Sequence, residues 1–297
     1  MKCDLCPRKC LVDRKKGEKG ICGQTENLKV ARAALHFWEE PCISGDAGSG
    51  AVFFSGCPLH CVFCQNENIA NGTVGKEISL ERLVDIFLEL QEKRANNINL
   101  VTPGHFVPQI VKALDQARKE GLTLPVVYNT SSYETVDTIK MLEGYVDIYL
   151  PGFKYVSPVL SKKYSHAPDY AEVAKAAIAE MVRQTGKAVF VNGDEDNLIL
   201  SGTIVRHLTL PGCMADSMQI LKYLHDTYGD MIYISIMNQF TPLSNLEKYP
   251  ELNRRITDEE YETLVDYAIE IGIENGFIQE GNTAEESFIP AFDCEGV

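Results

Sequence analysis

The sequence predicts an α/β protein of six consecutive β–α units behind a Cys-rich N-terminal segment, and three observations point to it. Past residue 50, short apolar runs rich in β-branched and aromatic residues alternate with longer amphipathic ones. Helix caps and turn signals fall at the junctions between them. The chain has 297 residues, 45% of them apolar, enough to close a large core. Parallel strands need such intervening segments, and six units are too few for a complete eight-fold barrel. An open doubly wound sheet and a partial barrel both fit this pattern.

The elements follow in order. Ala51–Ser55 is a short β-like run that feeds a loop of three cysteines, and Ser79–Arg94 carries the broad apolar face of a helix. Ile98–Thr102 is the next strand, with a helix from Val107 to about Glu120 stopped by Gly121. Pro125–Asn129, a helix near Glu134–Leu142, and Val146–Leu150 continue the alternation. Asp169 stands where it can cap an Ala-rich helix running to Thr185, and Gly186 supplies the stop. Asn192-Gly193-Asp194 signals a turn ahead of a strand at Thr203–Leu210. A helix at Asp216–Thr227 leads to a strand at Met231–Met237, and Thr257 with Glu260 makes a capping box for a last helix to about Ile271.

Charge excludes some functions. The formal net charge is −14, which argues against general nucleic-acid binding through a basic surface. No apolar run approaches the ~18 to 20 residues of a membrane span, and the N-terminus lacks a signal-peptide core, so a cytoplasmic protein is expected. Residues 1–30 nevertheless hold eight Lys or Arg against four acids, whereas residues 251–297 hold thirteen acids and two Arg. Such asymmetry marks modules with different surroundings or a solvated acidic face.

Seven of the ten cysteines fall in two clusters. In a reducing compartment, clustered cysteines read as metal ligands rather than disulfides. Cys57, Cys61 and Cys64 form C-x3-C-x2-C directly after the first predicted strand. Zinc sites favour four ligands in separated pairs, whereas three close thiolates with no local fourth suit a [4Fe–4S] cluster with one iron left open. Cys3, Cys6, Cys10 and Cys22 form C-x2-C-x3-C-x11-C in a segment too polar to hold a core, so it is expected to fold around zinc or a second Fe–S cluster.

The C-x3-C-x-aromatic-C loop, with Phe63 before the last cysteine, resembles the signature of the radical S-adenosylmethionine (SAM) superfamily. The resemblance implies a partial (β/α)6 TIM-like barrel with Cys57, Cys61 and Cys64 holding a [4Fe–4S] cluster. It further implies reductive cleavage of SAM to a hydrogen-abstracting 5′-deoxyadenosyl radical, with the cofactor doing the hard chemistry. Longer stretches (Glu39–Gly45, Phe53–Asn66, Asn99–Ile110, Tyr149–Tyr155, Arg206–Gly212 and Phe292–Val297) resemble the uncharacterised pyruvate formate-lyase activating enzyme-like family.

Carried over residue by residue, Phe63 would pack near the adenine and Asn66 would touch the cluster or SAM. In place of the superfamily's Gly-Gly-Glu-Pro-like turn stands Val101-Thr102-Pro103-Gly104-His105, which leaves backbone carbonyls near Thr102 as candidates. Asn129-Thr130-Ser131-Ser132 and Pro151-Gly152-Phe153-Lys154 stand where activases have Asp-Thr-Asn-Gly and Asp-x-Lys. Asn129 and Ser131 are therefore candidates without the acid pair, and Lys154 could neutralise the SAM carboxylate. Arg206 would point into the barrel and needs a partner, because an unpaired buried charge is very costly. His207 must then face the other way. Asn238 and Gln239 are weaker candidates, and His36, His60, His105, His166 and His225 read as satisfied surface or core residues, with His105 alone placed to face substrate.

Three modules are expected: a Cys-rich segment over 1–45, a radical SAM partial barrel over 46–245 and a C-terminal helical cap over 246–297. The function expected is a radical SAM oxidoreductase, oxygen-sensitive, that draws electrons from a flavodoxin or ferredoxin. Its substrate would be a glycyl-radical enzyme partner or, alternatively, a small molecule or modified peptide. The remaining alternative is a non-catalytic Fe–S or metal-binding redox module.

Overall fold

The computed structural model describes residues 2–193, 197–242, 246–279 and 290–297. Asp194 of the Asn192-Gly193-Asp194 turn lies outside them.

A nine-residue strand β1 (Leu28–His36) and a single helical turn α1 (Pro41–Ser44) precede β2 (Ser49–Phe54), which is buried along its whole length. After the cysteine loop come α2 (Glu67–Ala70) and β3 (Lys76–Ile78). The regular units begin with α3 (Leu80–Glu92), β4 (Ile98–Val101) and α4 (Val107–Lys119). Ser79 caps α3 by accepting the backbone N–H of Arg82. Then follow β5 (Val126–Thr130), α5 (Val136–Lys140), β6 (Ile148–Pro151), α6 (Pro158–Ser165) and α7 (Tyr170–Thr185). The two-residue β7 (Val189–Phe190) pairs antiparallel with β8 (Ile199–Leu208), and α8 (Met214–Tyr228) leads to β9 (Tyr233–Met237). Last come α9 (Asp258–Glu270), opened by the expected Thr257/Glu260 capping box, and β10 (Gly276–Ile278).

The strands lie in one sheet in the order β10-β9-β8-β6-β5-β4-β2-β1-β3, parallel from β2 to β10. That order never reverses, so right-handed crossovers put every crossover helix on the same face. A doubly wound sheet requires a reversal, and the pattern therefore resolves to a partial barrel. The curl brings residues from the ends of β2, β4, β5, β6, β8 and β9 around one cavity and closes side-chain bonds across it. Arg206 on β8 reaches Glu40, four residues past the end of β1, at 2.9 Å. Four strands separate β1 from β8 in the sheet, a span of roughly 24 Å were it flat.

Some local expectations are corrected. Asp169 occupies the N-cap of α7 but makes no cap bond; its carboxylate accepts the Tyr133 hydroxyl at 2.8 Å instead. The seventh parallel strand β10 follows α9, and β1 adds an antiparallel edge that pairs with β2. The Cys-rich segment thus runs straight into the main sheet. Residues 293–297 return to that edge: Ala33 N–H donates to the Glu295 carbonyl at 2.8 Å and Cys294 N–H to the Ala31 carbonyl at 3.1 Å. Arg32 holds Asp293 and Glu295 as well, so part of the acidic tail covers the exposed edge of β1. Among the described residues, no helix is long and apolar enough to cross a membrane.

Candidate active site

The cysteine loop leaves the carboxyl end of β2, the end at which barrel folds gather their ligand-binding loops. Gly56 (φ +95°) and His60 (φ +51°) turn the backbone so that all three sulfurs border one cavity of about 300 Å³. The Cys57 sulfur accepts backbone N–H groups from Leu59 and His60, and that of Cys64 accepts one from Asn66. The Cys61 sulfur accepts the Ser165 hydroxyl at 2.9 Å. Donors aimed at sulfur favour the thiolate, yet burial pushes Cys57 up to about 11 and Cys64 up to about 12. Ionising them therefore calls for a cationic centre.

The donor set fits an iron–sulfur cluster. Among the described residues, no three His, Cys, Asp or Glu side chains converge closely enough to hold a single metal ion. Three cysteines bordering one cavity supply the thiolates that three irons of a [4Fe–4S] cluster take.

The remaining predicted residues line the same cavity, each from the end of a strand. Thr102 follows β4 in a left-handed conformation (φ +56°), fixed by its N–H donating to the Asn129 carbonyl at 2.9 Å. Asn129 and Ser131 come from the end of β5, Lys154 from just past β6, and Gln239 from just past β9. Lys154 Nζ stands 6.0 Å from the centroid of Phe63, whose buried ring packs edge-on against Phe240. Asn66 lines the cavity at the N-cap of α2. Asn238 is not among the lining residues; its N–H donates to the Gln279 side chain.

Arg206 lines the cavity and has the partners its burial demands. Its guanidinium pairs with both Glu39 and Glu40. Glu39 also lines the cavity and accepts the side-chain N–H groups of Asn99 at 2.9 Å and Asn129 at 3.3 Å. Burial opposes its ionisation, but the Arg206 charge outweighs that and holds the carboxyl below its usual range. Sequence reasoning required a partner for Arg206 without identifying the two acids, although they stand together just before Pro41.

His207 faces away from the cavity, as strand alternation requires. Its Nδ1–H donates to the Phe153 carbonyl at 2.9 Å and its Nε2 meets Ser217 at 2.8 Å, while burial holds it down to about 4. His105, expected at a strand end facing substrate, does not line the cavity. It is buried, donates Nε2–H to the Ser55 carbonyl at 2.6 Å, and is held down by burial to about 3. His36, expected to be bland, lines the cavity.

The radical SAM superfamily matches residues 51–197, the stretch that holds β2, the cysteine loop and the strands through β6. This is a radical SAM protein. Its cofactors are a [4Fe–4S] cluster and SAM, and radical SAM enzymes need a reductant. The chain is similar to an uncharacterized protein of Methanocaldococcus jannaschii, 27% identical over 275 residues, covering 90% of this chain and 74% of that one. Among solved structures it is similar to SuiB of Streptococcus suis, bound to precursor peptide SuiA or to S-adenosylmethionine. Each SuiB structure gives a TM-score of 0.52 at 12% identity over 76% of this chain, and 47% and 49% of the SuiB chains respectively. HydG, a maturase of the [FeFe]-hydrogenase, gives a TM-score of 0.51 at 14% identity, over 78% of this chain and 52% of that one. The chain spans about half the length of these solved structures, and at such identities the likeness establishes the radical SAM partial-barrel fold alone.

The N-terminal cysteines of this radical SAM protein also gather. Cys6 and Cys22 each accept a backbone N–H from two residues ahead, Arg8 and Gln24, and Ile21 N–H donates to the Cys10 sulfur at 3.4 Å. Cys6 feels the charges of Cys10 and Cys22, and Cys22 those of Cys3 and Cys10. The loops after Cys6 and Cys22 thus repeat the N–H-to-sulfur turn that follows Cys64.

Proposed function

We propose that Cys57, Cys61 and Cys64 hold the [4Fe–4S] cluster and that the enzyme abstracts hydrogen from an extended polypeptide segment. The carrying observation is that a groove of about 180 Å³ beside β1, bordered by Arg32, Ala34, Leu35 and Phe37, adjoins the cavity. His36, Trp38, Phe53 and Pro290 border both spaces. A cavity of about 300 Å³ lies at the small end for a single ligand, so SAM fills much of it and the groove is left for substrate.

Bound there, the two cofactors supply reductive SAM cleavage and a hydrogen-abstracting radical. The chain supplies position and charge. Lys154 faces the cavity beside Phe63 and is placed to neutralise a carboxylate. Thr102, Asn129 and Ser131 present polar groups at the strand ends, and Phe63 offers an apolar ring. Arg206 is already committed to Glu39 and Glu40, so it orients those carboxylates and Asn129 rather than binding SAM alone. Glycyl-radical activation is one reaction of this class.

A small-molecule substrate is the second reading. It is favoured by the non-acidic Asn129 and Gly152 at positions where activases carry acids. Anaerobically reconstituted, reduced protein should form 5′-deoxyadenosine from SAM, and the Cys57/Cys61/Cys64→Ala variant should form none. With a pool of peptides deuterated at glycine Cα, deuterium should appear in the 5′-deoxyadenosine. Turnover without deuterium transfer from any peptide would favour the small-molecule reading, and a reduced wild type without turnover would sink both.

A further inference from the structure

The four N-terminal cysteines do not sit apart from the SAM-cluster loop; their loop is docked on it. The carbonyl of Cys22 lies only 2.5 Å from where a Cβ on Gly56 would stand, so a ligand of one site touches the residue preceding a ligand of the other. His60, between Cys57 and Cys61, holds the Ile21 carbonyl through Nε2 at 2.7 Å. Arg8, between Cys6 and Cys10, donates to the Pro58 carbonyl at 2.9 Å. The same guanidinium donates to the carbonyl of Ser165 at 3.2 Å, and the Ser165 hydroxyl donates to the Cys61 sulfur. Three bridges thus join two thiolate-bearing loops back to back.

The module supplies four thiolates near one another: Cys6 lies near Cys10 and Cys22, and Cys22 near Cys3 and Cys10. Four thiolates suit an iron–sulfur cluster able to pass single electrons, and Gln24, 3% exposed, packs against Gly56 where the two loops meet.

The outer face is built to meet a carrier. Leu11 and Ile21, each next to a cysteine ligand, are exposed at 53% and 49%, and the same segment exposes Lys9, Lys15, Lys16 and Lys19 against Asp4 and Glu18. Exposed apolar side chains on a segment with an excess of lysines are complementary to an acidic protein partner.

We propose that Cys3, Cys6, Cys10 and Cys22 hold a second iron–sulfur cluster that receives one electron from an acidic flavodoxin- or ferredoxin-class carrier and passes it to the SAM cluster. The carrier is oxidised by one electron and the second cluster is reduced. The second cluster is then reoxidised as the first is reduced, with no proton or bond change. This rests on the assignment of the first cluster to Cys57, Cys61 and Cys64, and the test separates the two claims.

The experiment is metal and sulfide analysis with electron paramagnetic resonance on three anaerobically reconstituted proteins: wild type, Cys57/Cys61/Cys64→Ala and Cys3/Cys6/Cys10/Cys22→Ala. The triple variant should keep about two to four irons with matching sulfide. One zinc and no iron in it would overturn the proposal. A quadruple variant that keeps no iron would overturn the first-cluster assignment instead. In reduced wild type the two paramagnetic clusters should broaden each other's signals, and a spectrum equal to the sum of the two variants' would overturn the relay. A Lys9/Lys16/Lys19→Glu variant leaves the Lys15–Glu26 ion pair and both ligand sets in place. Reduced flavodoxin should reduce its SAM cluster at least tenfold more slowly than in wild type, with photochemical reduction by a small molecule unchanged. Equal rates with flavodoxin would overturn the carrier's docking face and with it this route.

Discussion

Arg206 and Glu40 are 166 residues apart in the chain and joined through two guanidinium nitrogens: Nε meets both carboxylate oxygens at 2.9 and 3.2 Å, and Nη2 also bonds Glu40. The bond crosses the hollow of the curled sheet, and Glu39 shares the same guanidinium. All three side chains are at least 87% buried, so the ion cluster serves as a strut across the cavity mouth rather than as surface decoration. Arg206→Gln leaves two buried carboxylates without a cation, and a loss of about 3–5 kcal/mol is expected in chemical denaturation. Arg206→Lys keeps the charge but not the fork, and should fall between the two.

Ser165 tunes the cysteine loop. Its hydroxyl donates to the Cys61 sulfur at 2.9 Å and bonds the Tyr155 hydroxyl, also at 2.9 Å. A hydrogen bond to a cluster sulfur stabilises the more negative, reduced state. Ser165→Ala should therefore lower the reduction potential of the SAM cluster by roughly 40 mV, the equivalent of about 1 kcal/mol for one electron, in an anaerobic redox titration. An unchanged or raised potential would contradict this arrangement.

Gly56 joins strain to contact. Gly56→Ala meets both a φ of +95° and the Cys22 carbonyl, whereas Gly144→Ala meets a φ of +79° with nothing within 4 Å. Left-handed strain alone costs about 1–3 kcal/mol. Gly56→Ala should exceed Gly144→Ala in lost thermal stability and should also lose iron from both cysteine sites, which Gly144→Ala should not.

Acid weakens the packing around α9. The Glu260 carboxyl bonds Arg254 and closes the capping box with Thr257, and the Arg254 bonds, chiefly, hold its pKa at about 2 against an ordinary 4.5. A folded pKa below the unfolded one stabilises above pH ~4.5, and that contribution fades as pH falls toward 2. Glu260→Gln preserves the capping box and removes the charge. Wild type should melt roughly 1–3 °C above it at pH 7, with the gap shrinking as pH falls from about 4.5 and closing near pH 2 in calorimetry.

Much of this was legible along the chain because it is local. The Cys57–Cys64 loop is eight residues long, the Thr257/Glu260 box four, and the buried parallel strands announce themselves as short apolar runs. β1 escaped because Lys29 and Arg32 interrupt its apolar pattern, and β10 because it is three residues long. Asp169 misled because an aspartate at a helix N-cap can accept from its own helix, but here packing gives its carboxylate to the Tyr133 hydroxyl.

The sequence by itself determined the chemistry: three thiolates at cluster spacing after a strand, a lysine past the fourth parallel strand and an arginine on the fifth. Tertiary structure alone decided the strand order that makes the sheet a partial barrel and the two acids that neutralise Arg206. It also decided the contact of Cys22 with Gly56 that sets the two cysteine loops back to back. The physical reason is range. Ligand spacing, capping and strand character are fixed by neighbours within a few residues, whereas a buried charge or a close backbone contact selects its partner from whatever the fold brings within about 3 Å.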